Sequence, residues 1–201
     1  MGKTVTILSA LCLCTAIVYA AGSKVSGKVI NQSEFNTSTN AALGTGSSVA
    51  IGAVALKGSV VSGEVINKVE INKSSNVASG KKAIAKMGTT TLRNSSVSGT
   101  VINRVTIHKS LNVSSGTDAT AHMGSTTLNN SKVSEKVTNN LEIKDAINIA
   151  SGTGATANMG AVTLKNANVT GKIVNHVKIG KATNIARGKG ATATINSVVV
   201  K

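Results

Sequence analysis

The sequence is poor in the residues on which globular cores are usually built. The 201-residue chain has no proline and no tryptophan, with one tyrosine and one phenylalanine. Its two cysteines, Cys12 and Cys14, lie near the N-terminus, so the chain beyond residue 20 can form no disulfide. The apolar residues are mainly valine, isoleucine and alanine. This composition excludes a disulfide scaffold and argues against a conventional globule.

Acidic residues are also scarce, since seven of them face 22 basic residues and the net charge is +15. One interpretation is attraction to a polyanion such as extracellular DNA, acidic polysaccharide or lipopolysaccharide. The other is that the charge only keeps the protein soluble and its subunits apart. The charge alone does not choose between these interpretations.

Residues 1–20 have the pattern of a secretory signal. Lys3 supplies a basic start, and Val5 to Val18 is an apolar run shorter than the roughly 20 residues that a membrane-spanning helix needs. Val18-Tyr19-Ala20 fits a cleavage site before Ala21, and cleavage would lower the net charge to +14 because Lys3 is the charged residue lost. We therefore expect a secreted protein, extracellular or at the cell surface. An uncleaved membrane tether is the alternative.

The rest of the chain is one 36-residue sequence written five times without insertion or deletion. The copies are residues 22–57, 58–93, 94–129, 130–165 and 166–201, and together with Ala21 they form one predicted domain, 21–201. Such a fixed period marks a repeat architecture. When the copies are aligned one below another, each position of the repeat forms a column of five residues. Four columns hold the same residue in all copies: Val25, Val61, Val97, Val133 and Val169; Asn31, Asn67, Asn103, Asn139 and Asn175; Asn40, Asn76, Asn112, Asn148 and Asn184; Gly44, Gly80, Gly116, Gly152 and Gly188.

Within a copy, apolar residues alternate with period two, which predicts strands. In the second copy one run covers 61–71 and another covers 83–87, after which Gly88 shifts the parity and indicates a bend. Lys73 to Asn76 and Ser79 to Lys82 are rich in turn residues, so we expect turns there. No segment beyond residue 20 has a helical period with caps.

No such strand can bury its apolar face alone, whereas copies stacked in register would place valine on valine and isoleucine on isoleucine. The sequence therefore predicts an all-β solenoid with parallel, in-register strands. One layer per copy is favoured because the two halves of the repeat do not resemble each other, and five layers would be about 24 Å tall. Two coils per copy is the alternative.

The invariant asparagines suit this stack, because amide side chains one above another can form a hydrogen-bonded ladder. The invariant glycine suits a corner that needs positive φ. Ordinary turn residues are the alternative interpretation for both.

Motifs that resemble catalytic or cofactor sites are by-products of the repeat. Gly152 to Ala157 and Gly188 to Ala193 match G-x-G-x-x-A, but a dinucleotide site needs a preceding strand and a following helix. The three histidines fall in three different columns, and the column of Met87, Met123 and Met159 holds isoleucine in copies one and five. The acids form no consistent pairs, and no nucleophile stands beside a base. We expect no enzyme, cofactor or metal site.

One basic column is a candidate anion-binding site. Lys57, Arg93, Lys165 and Lys201 share it, with Asn129 in the third copy. Stacking places these like charges a few ångströms apart, which is tolerable only in water or beside anions.

Two stretches, Asn76-Val77-Ala78-Ser79-Gly80 and Asn148-Ile149-Ala150-Ser151-Gly152, resemble the repeats of secreted bacterial functional amyloid subunits of the Fap type. That resemblance implies a structural protein that assembles into biofilm fibrils. Ser48 to Gly52 and Gly154 to Ala157 are more weakly similar to the head repeats of trimeric autotransporter adhesins. That second resemblance implies a surface adhesin that binds a polyanion or host ligand through one solenoid face.

The two ends of the predicted domain consist of complete copies, which favours self-assembly. Exposed strand edges are templates for pairing unless a capping element covers them. We therefore expect copy five of one chain to stack on copy one of the next, giving a head-to-tail homopolymer.

Overall fold

The computed structural model describes the backbone of residues 5–9 and 17–200 and the side chains of residues 21–200. From coil to coil, strands pair in parallel with strands about 36 residues further along the chain. The all-β solenoid of five stacked, in-register repeats is therefore confirmed, with each copy making one coil. Residues 1–4 and 10–16 of the predicted signal lie outside the described residues. Lys201, the last residue of the fifth copy, also lies outside them.

The described residues form 24 strands, numbered in chain order. Two precede the first coil: β1 Val5–Ser9 and β2 Ile17–Ala21. Coil one holds β3 Lys24–Val25, β4 Val29–Asn36, β5 Thr39–Leu43, β6 Ser48–Ile51 and β7 Ala53–Lys57. Coil two holds β8 Val60–Val61, β9 Val65–Asn72, β10 Ser75–Ser79, β11 Ile84–Met87 and β12 Thr90–Arg93.

In the last three coils one long strand replaces the second and third strands of a coil. Coil three holds β13 Ser96–Val97, β14 Val101–Ser115, β15 Thr120–Met123 and β16 Thr126–Asn129. Coil four holds β17 Lys132–Val133, β18 Val137–Ser151, β19 Thr156–Met159 and β20 Val162–Lys165. Coil five holds β21 Asn168–Val169, β22 Ile173–Arg187, β23 Thr192–Ile195 and β24 Val198–Val200.

The strands stack into four parallel sheets that run along the solenoid axis. The long sheet contains β1, β4, β9, β14, β18 and β22. Strand β10 pairs with the second half of β14, and β5 pairs with β10. The second sheet contains β6, β11, β15, β19 and β23, and the third contains β2, β7, β12, β16, β20 and β24. A short sheet of two-residue strands, β3, β8, β13, β17 and β21, closes each coil.

The interior consists of separate apolar compartments. Valine and leucine columns such as Val97 and Leu92 fill one, and isoleucine and methionine columns such as Ile107 and Met123 fill the next. The thinnest part is packed by alanines, among them Ala85 and Ala121. Small side chains let the two facing sheets approach there, which explains why the core needs no aromatic cluster.

The turn expected at Lys73 to Asn76 is wrong in its second half, because Ser75 and Asn76 begin β10. Their polarity resembles that of a turn, but Asn76 is fully buried inside the coil. The bend itself lies at Lys73, with φ of 47°, and Ser74 Oγ supports it by donating to the Asn72 carbonyl at 2.9 Å. Coils four and five carry alanine in place of Ser74, and their long strands pass this point without a positive φ.

The two strands before coil one extend two of the sheets. Strand β1 pairs with β4, with Val5 opposite Val29, and β2 pairs with β7, with Ile17 opposite Ala53. The offset between paired residues is shorter than a repeat for β1 and equals one repeat for β2. The proposal that residues 1–20 are a cleaved signal stays a prediction.

Candidate functional site

One asparagine column forms an unbroken ladder of side-chain hydrogen bonds through all five coils. In each step the amide nitrogen donates to the amide oxygen of the next coil, at 2.7 Å for the first step and 2.8 Å for the others. The members are Asn31, Asn67, Asn103, Asn139 and Asn175. This ladder lies between the valine–leucine and the isoleucine–methionine compartments. It therefore satisfies polar groups along a line where two apolar regions meet.

The second asparagine column behaves in the same way, between the isoleucine–methionine compartment and the alanine-packed end. Its steps measure 3.3 Å and then three times 2.8 Å, through Asn40, Asn76, Asn112, Asn148 and Asn184. Each amide also crosses the interior to carbonyls of the second sheet. Asn112 Nδ2, for example, donates to the carbonyls of Ala85 and His122 at 3.2 and 3.1 Å.

Those backbone carbonyls fix the direction of the ladders. A carbonyl oxygen can only accept, so the side-chain atom that faces it must be the amide nitrogen. All eight steps consequently donate from the N-terminal coil toward the C-terminal coil. Amide oxygens therefore face the side of coil one on which β1 and β2 pair, and amide nitrogens face the open edge of coil five.

The two ends of the first ladder carry residues that no other coil has at the same positions. Ser33 replaces a valine or leucine, and its hydroxyl donates to Asn31 Oδ1 at 2.8 Å. Asn196 replaces a glycine, and its Oδ1 accepts from Asn175 Nδ2 at 3.2 Å. The sequence alone does not identify the role of either residue, because the partner of each becomes visible only in the fold.

The corner glycines have φ between 117° and 132°. A Cβ built on Gly116 would stand 2.1 Å from the carbonyl oxygen of Gly80, and Gly152 and Gly188 meet the glycine of the coil before them in the same way. In coils two to five the column therefore excludes side chains for two reasons: the backbone is in a region that L-residues rarely adopt, and the preceding coil occupies the space.

Coil five ends in an open apolar edge. Ile195, Val198 and Val200 belong to columns that are buried in the other coils, but they are 48%, 48% and 72% exposed here. In coil four the corresponding residues Met159, Val162 and Leu164 are at most 3% exposed. Their exposure arises because no described strand lies beyond β21 to β24.

The basic column lies on the outer side of the third sheet. Lys57, Arg93 and Lys165 are exposed, Asn129 is half-buried, and Lys201 lies outside the described residues. In the described part of the chain the two ion pairs are Lys28–Glu64 and Lys178–Glu142, and neither involves this column.

Two titratable groups, Lys86 and His122, lie near the basic column, on the outer side of the second sheet. Lys86 Nζ donates to Thr91 Oγ1 at 3.3 Å, and burial followed by the nearby Arg93 lowers the pKa of Lys86. His122 lies one coil further, with its Nδ1 3.3 Å from Asn158 Nδ2. Burial and then Lys86 lower the pKa of His122 to about 4. Sequence reasoning set His122 aside because the three histidines do not share a column.

The outer face formed by β5, β10 and the stretches 111–115 and 147–151 in register with them carries no charged side chain. Val77, Leu111, Val113 and Ile149 are half-buried there, and Ile147 is 41% exposed. Sequence reasoning did not single out this face, because these residues alternate with the buried asparagine and its neighbours and resemble a core pattern.

Residues 21–200 contain no group of three or more His, Cys, Asp or Glu side chains that could hold a metal ion. No helix in the described part of the chain is long and apolar enough to cross a membrane. Comparison of the chain with protein-family models, curated proteins and solved structures finds no match in any of the three.

Proposed function

We propose that residues 21–201 are a secreted structural subunit that assembles end to end into an extracellular fibre, with coil five of one chain stacked on coil one of the next. The observation that carries this proposal is the shared direction of the two asparagine ladders. Amide nitrogens at the edge of coil five can donate to amide oxygens at the edge of coil one of another chain. Two like ends would place donor against donor or acceptor against acceptor.

The edge of coil five supports the same arrangement. A joined chain would continue all four sheets with parallel strands and would bury Ile195, Val198 and Val200 as the other coils bury their counterparts. Burying apolar surface contributes about 25 cal/mol per Å². An open sheet edge with apolar columns and no charge among its exposed core residues is a template for pairing.

The test is electron microscopy of purified residues 21–201. This part contains every described core cluster and both ladders, so it holds the interactions that stabilise the coils. We expect unbranched filaments. A variant with a charged, proline-containing helix appended after Lys201 should form short filaments or none, whereas a flexible glycine–serine tail of equal length should not interfere. Filaments that grow as long and as fast with the capping helix would contradict end-to-end stacking.

A second candidate function is adhesion to a polyanion, such as extracellular DNA or an acidic polysaccharide. The observation that favours it is the group of Lys57, Arg93, Lys165 and the nearby Lys86, none of which has a described carboxylate partner. A surface of one sign attracts polyanions in a salt-dependent way.

This second function is tested by replacing Lys57, Arg93 and Lys165 with glutamine and measuring binding to duplex DNA and to an acidic polysaccharide over a range of salt. The matched control replaces Lys132, Lys136 and Lys172, which are exposed elsewhere, and has the same net charge. The logarithm of the DNA-binding constant falls linearly with the logarithm of the salt concentration, and the size of this slope should decrease by about 0.9 for every phosphate that the variant no longer neutralises. Equally weakened binding in both triple variants would show that net charge, and not this column, is responsible. If the protein is an adhesin that forms no fibres, it should bind the DNA or polysaccharide as a monomer.

A further inference from the structure

We propose that Asn196 and Ser33 form a matched contact across the joint between subunits, where coil five of one chain meets coil one of the next. This inference rests on the proposed end-to-end assembly. It names the residues that would distinguish the joint between chains from the joints between coils of one chain.

Inside the chain, each coil boundary at this position follows one steric rule. A glycine with positive φ lies below a branched apolar residue of the next coil, and no side chain fits between them. A Cβ built on Gly52, Gly88 or Gly124 would stand 2.4 Å from the nearest side-chain carbon of the next coil, and one built on Gly160 would stand 2.8 Å away. The branched residues that they meet first are Val69, Val105, Leu141 and Val177.

Both ends of the chain depart from this rule, and they do so at the two positions that would meet in a joint. Asn196 occupies the glycine position of coil five at φ of 44°, a conformation that asparagine tolerates better than most residues. Ser33 occupies the branched position of coil one and is 6% exposed. A bulkier residue on one side is thus matched by a smaller one on the other.

The pair is also matched in polarity. Asn196 Oδ1 accepts from Asn175 Nδ2 and Ser33 Oγ donates to Asn31 Oδ1, so each binds the last member of the same ladder. When the ends meet, the Asn196 amide, which can donate, and the Ser33 hydroxyl, which can donate and accept, would lie side by side. The first ladder would then pass from chain to chain through this pair.

Serine at position 33 is what leaves room for Asn196 in the joint. A valine or leucine at that position, as in the other coils, would overlap the Asn196 side chain when the ends meet. Overpacking of this kind is destabilising by about 1–3 kcal/mol, roughly 5- to 150-fold in an equilibrium constant. The asparagine and the serine therefore have to occur together for the joint to close at this position.

The test is a double-mutant cycle on residues 21–201, with filament elongation followed by light scattering and microscopy. This part is used because β1 pairs alongside Ser33 in the full chain. Ser33→Val should slow elongation at least about 10-fold, because valine would overlap the Asn196 side chain. Asn196→Gly should change the rate by less than about 3-fold, and the double variant should return to within about 3-fold of the parent.

The alternative is that Ser33 and Asn196 only cap the ladder ends of a free chain. Each single substitution would then speed elongation, and the two effects would add, which would overturn the proposal. A double variant as slow as Ser33→Val would overturn it as well. Both substitutions introduce the residue type of other coils, and thermal unfolding checks that each variant is folded. If the unsubstituted protein forms filaments but the effects of the two substitutions are not coupled, only the contact between Ser33 and Asn196 is refuted. If the unsubstituted protein forms no filaments, both this contact and the end-to-end assembly are refuted.

Discussion

At the scale of single residues, the buried asparagines do more than occupy corners. Asn67, Asn103 and Asn139 are fully buried, and each bonds to the coils before and after it. Their nitrogens also reach backbone carbonyls, as Asn103 Nδ2 reaches the Gly88 carbonyl at 3.2 Å. An apolar residue at such a position would leave polar groups of the coils before and after it without partners.

We expect Asn112→Leu to lower the free energy of unfolding by about 2–4 kcal/mol, because each buried polar group left without a partner costs about 1–3 kcal/mol. Asn76 Nδ2 would lose its acceptor and Asn148 Oδ1 its donor, and two carbonyls would lose Asn112 Nδ2. Urea unfolding of residues 21–201 measures the change.

Asn184→Leu is the matched control, because Asn184 ends the ladder and has a ladder neighbour on one side only. It should cost clearly less than the central substitution. Equal stability of Asn112→Leu and the parent would contradict a stabilising ladder.

His122 should make stability fall as the pH falls. Its pKa is about 4 in the fold and near 6.5 in an unfolded chain, so the unfolded state takes up the proton first. The contribution of neutral His122 to the free energy of unfolding is therefore fully present above about pH 6.5 and is lost as the pH falls to about 4. The loss is at most about 3 kcal/mol, and it is smaller than this limit because the side chain is partly exposed. Unfolding midpoints at pH 7 and 4.5 measure this difference.

His122→Asn is the control for this pH effect, since coil four carries Asn158 at the same position. It should reduce the difference between the two pH values, with little change at pH 7. An unchanged pH dependence in this variant would assign the effect to other groups.

At the scale of the elements, tight corners set how closely the coils stack. Two glycine positions separate the possible causes. Gly116 has φ of 123° and lies against the Gly80 carbonyl, whereas Gly46 has φ of 72° with nothing near its would-be Cβ. Lys82 and Asp118 occupy the position of Gly46 in coils two and three, also with positive φ.

Gly116→Ala should therefore destabilise the protein by about 3 kcal/mol or more, since backbone strain and a clash with a backbone carbonyl act together. Gly46→Ala should lower the free energy of unfolding only by the cost of placing alanine in the left-handed conformation, about 1–2 kcal/mol. Denaturant unfolding of both variants measures the difference. Equal destabilisation would mean that conformation alone, and not the stacked carbonyl, requires the glycine.

At the scale of the whole molecule, residues 5–21 and an incoming chain compete for the same edge. Strands β1 and β2 pair with β4 and β7 on the outer side of coil one. We expect the full chain to form filaments later and in lower yield than residues 21–201 at equal concentration. The turbidity of the solution, followed over time, measures the lag before filaments form. Removal of the first 20 residues from the full chain by a protease should abolish the extra lag. An equal lag before and after removal would contradict competition for this edge.

The solenoid could be predicted because the repeat carries its own evidence. Columns that hold identical or similar residues in all five copies, such as that of Val97 and Val61, indicate stacking without any second sequence. The strand at Ser75 and Asn76 could not be predicted, because local turn propensity opposes it and the ladder overrides that propensity. The pairing of Ser33 with Asn31 and of Asn196 with Asn175 depends on contacts between distant residues and is visible only in the fold.

From coil one to coil five nearly every strand pairing joins residues 36 positions apart, so a coil contacts only the coils directly before and after it. Folding of such a chain can spread from one coil to its neighbour without bringing distant segments together, and unfolding can begin at an end. The side chains of coil five are mostly half-buried or exposed, while those of coils two to four are largely buried. Amide hydrogens of β22 to β24 should therefore exchange with solvent well before those of β14, and heating should melt the molecule gradually from its C-terminal coil inward.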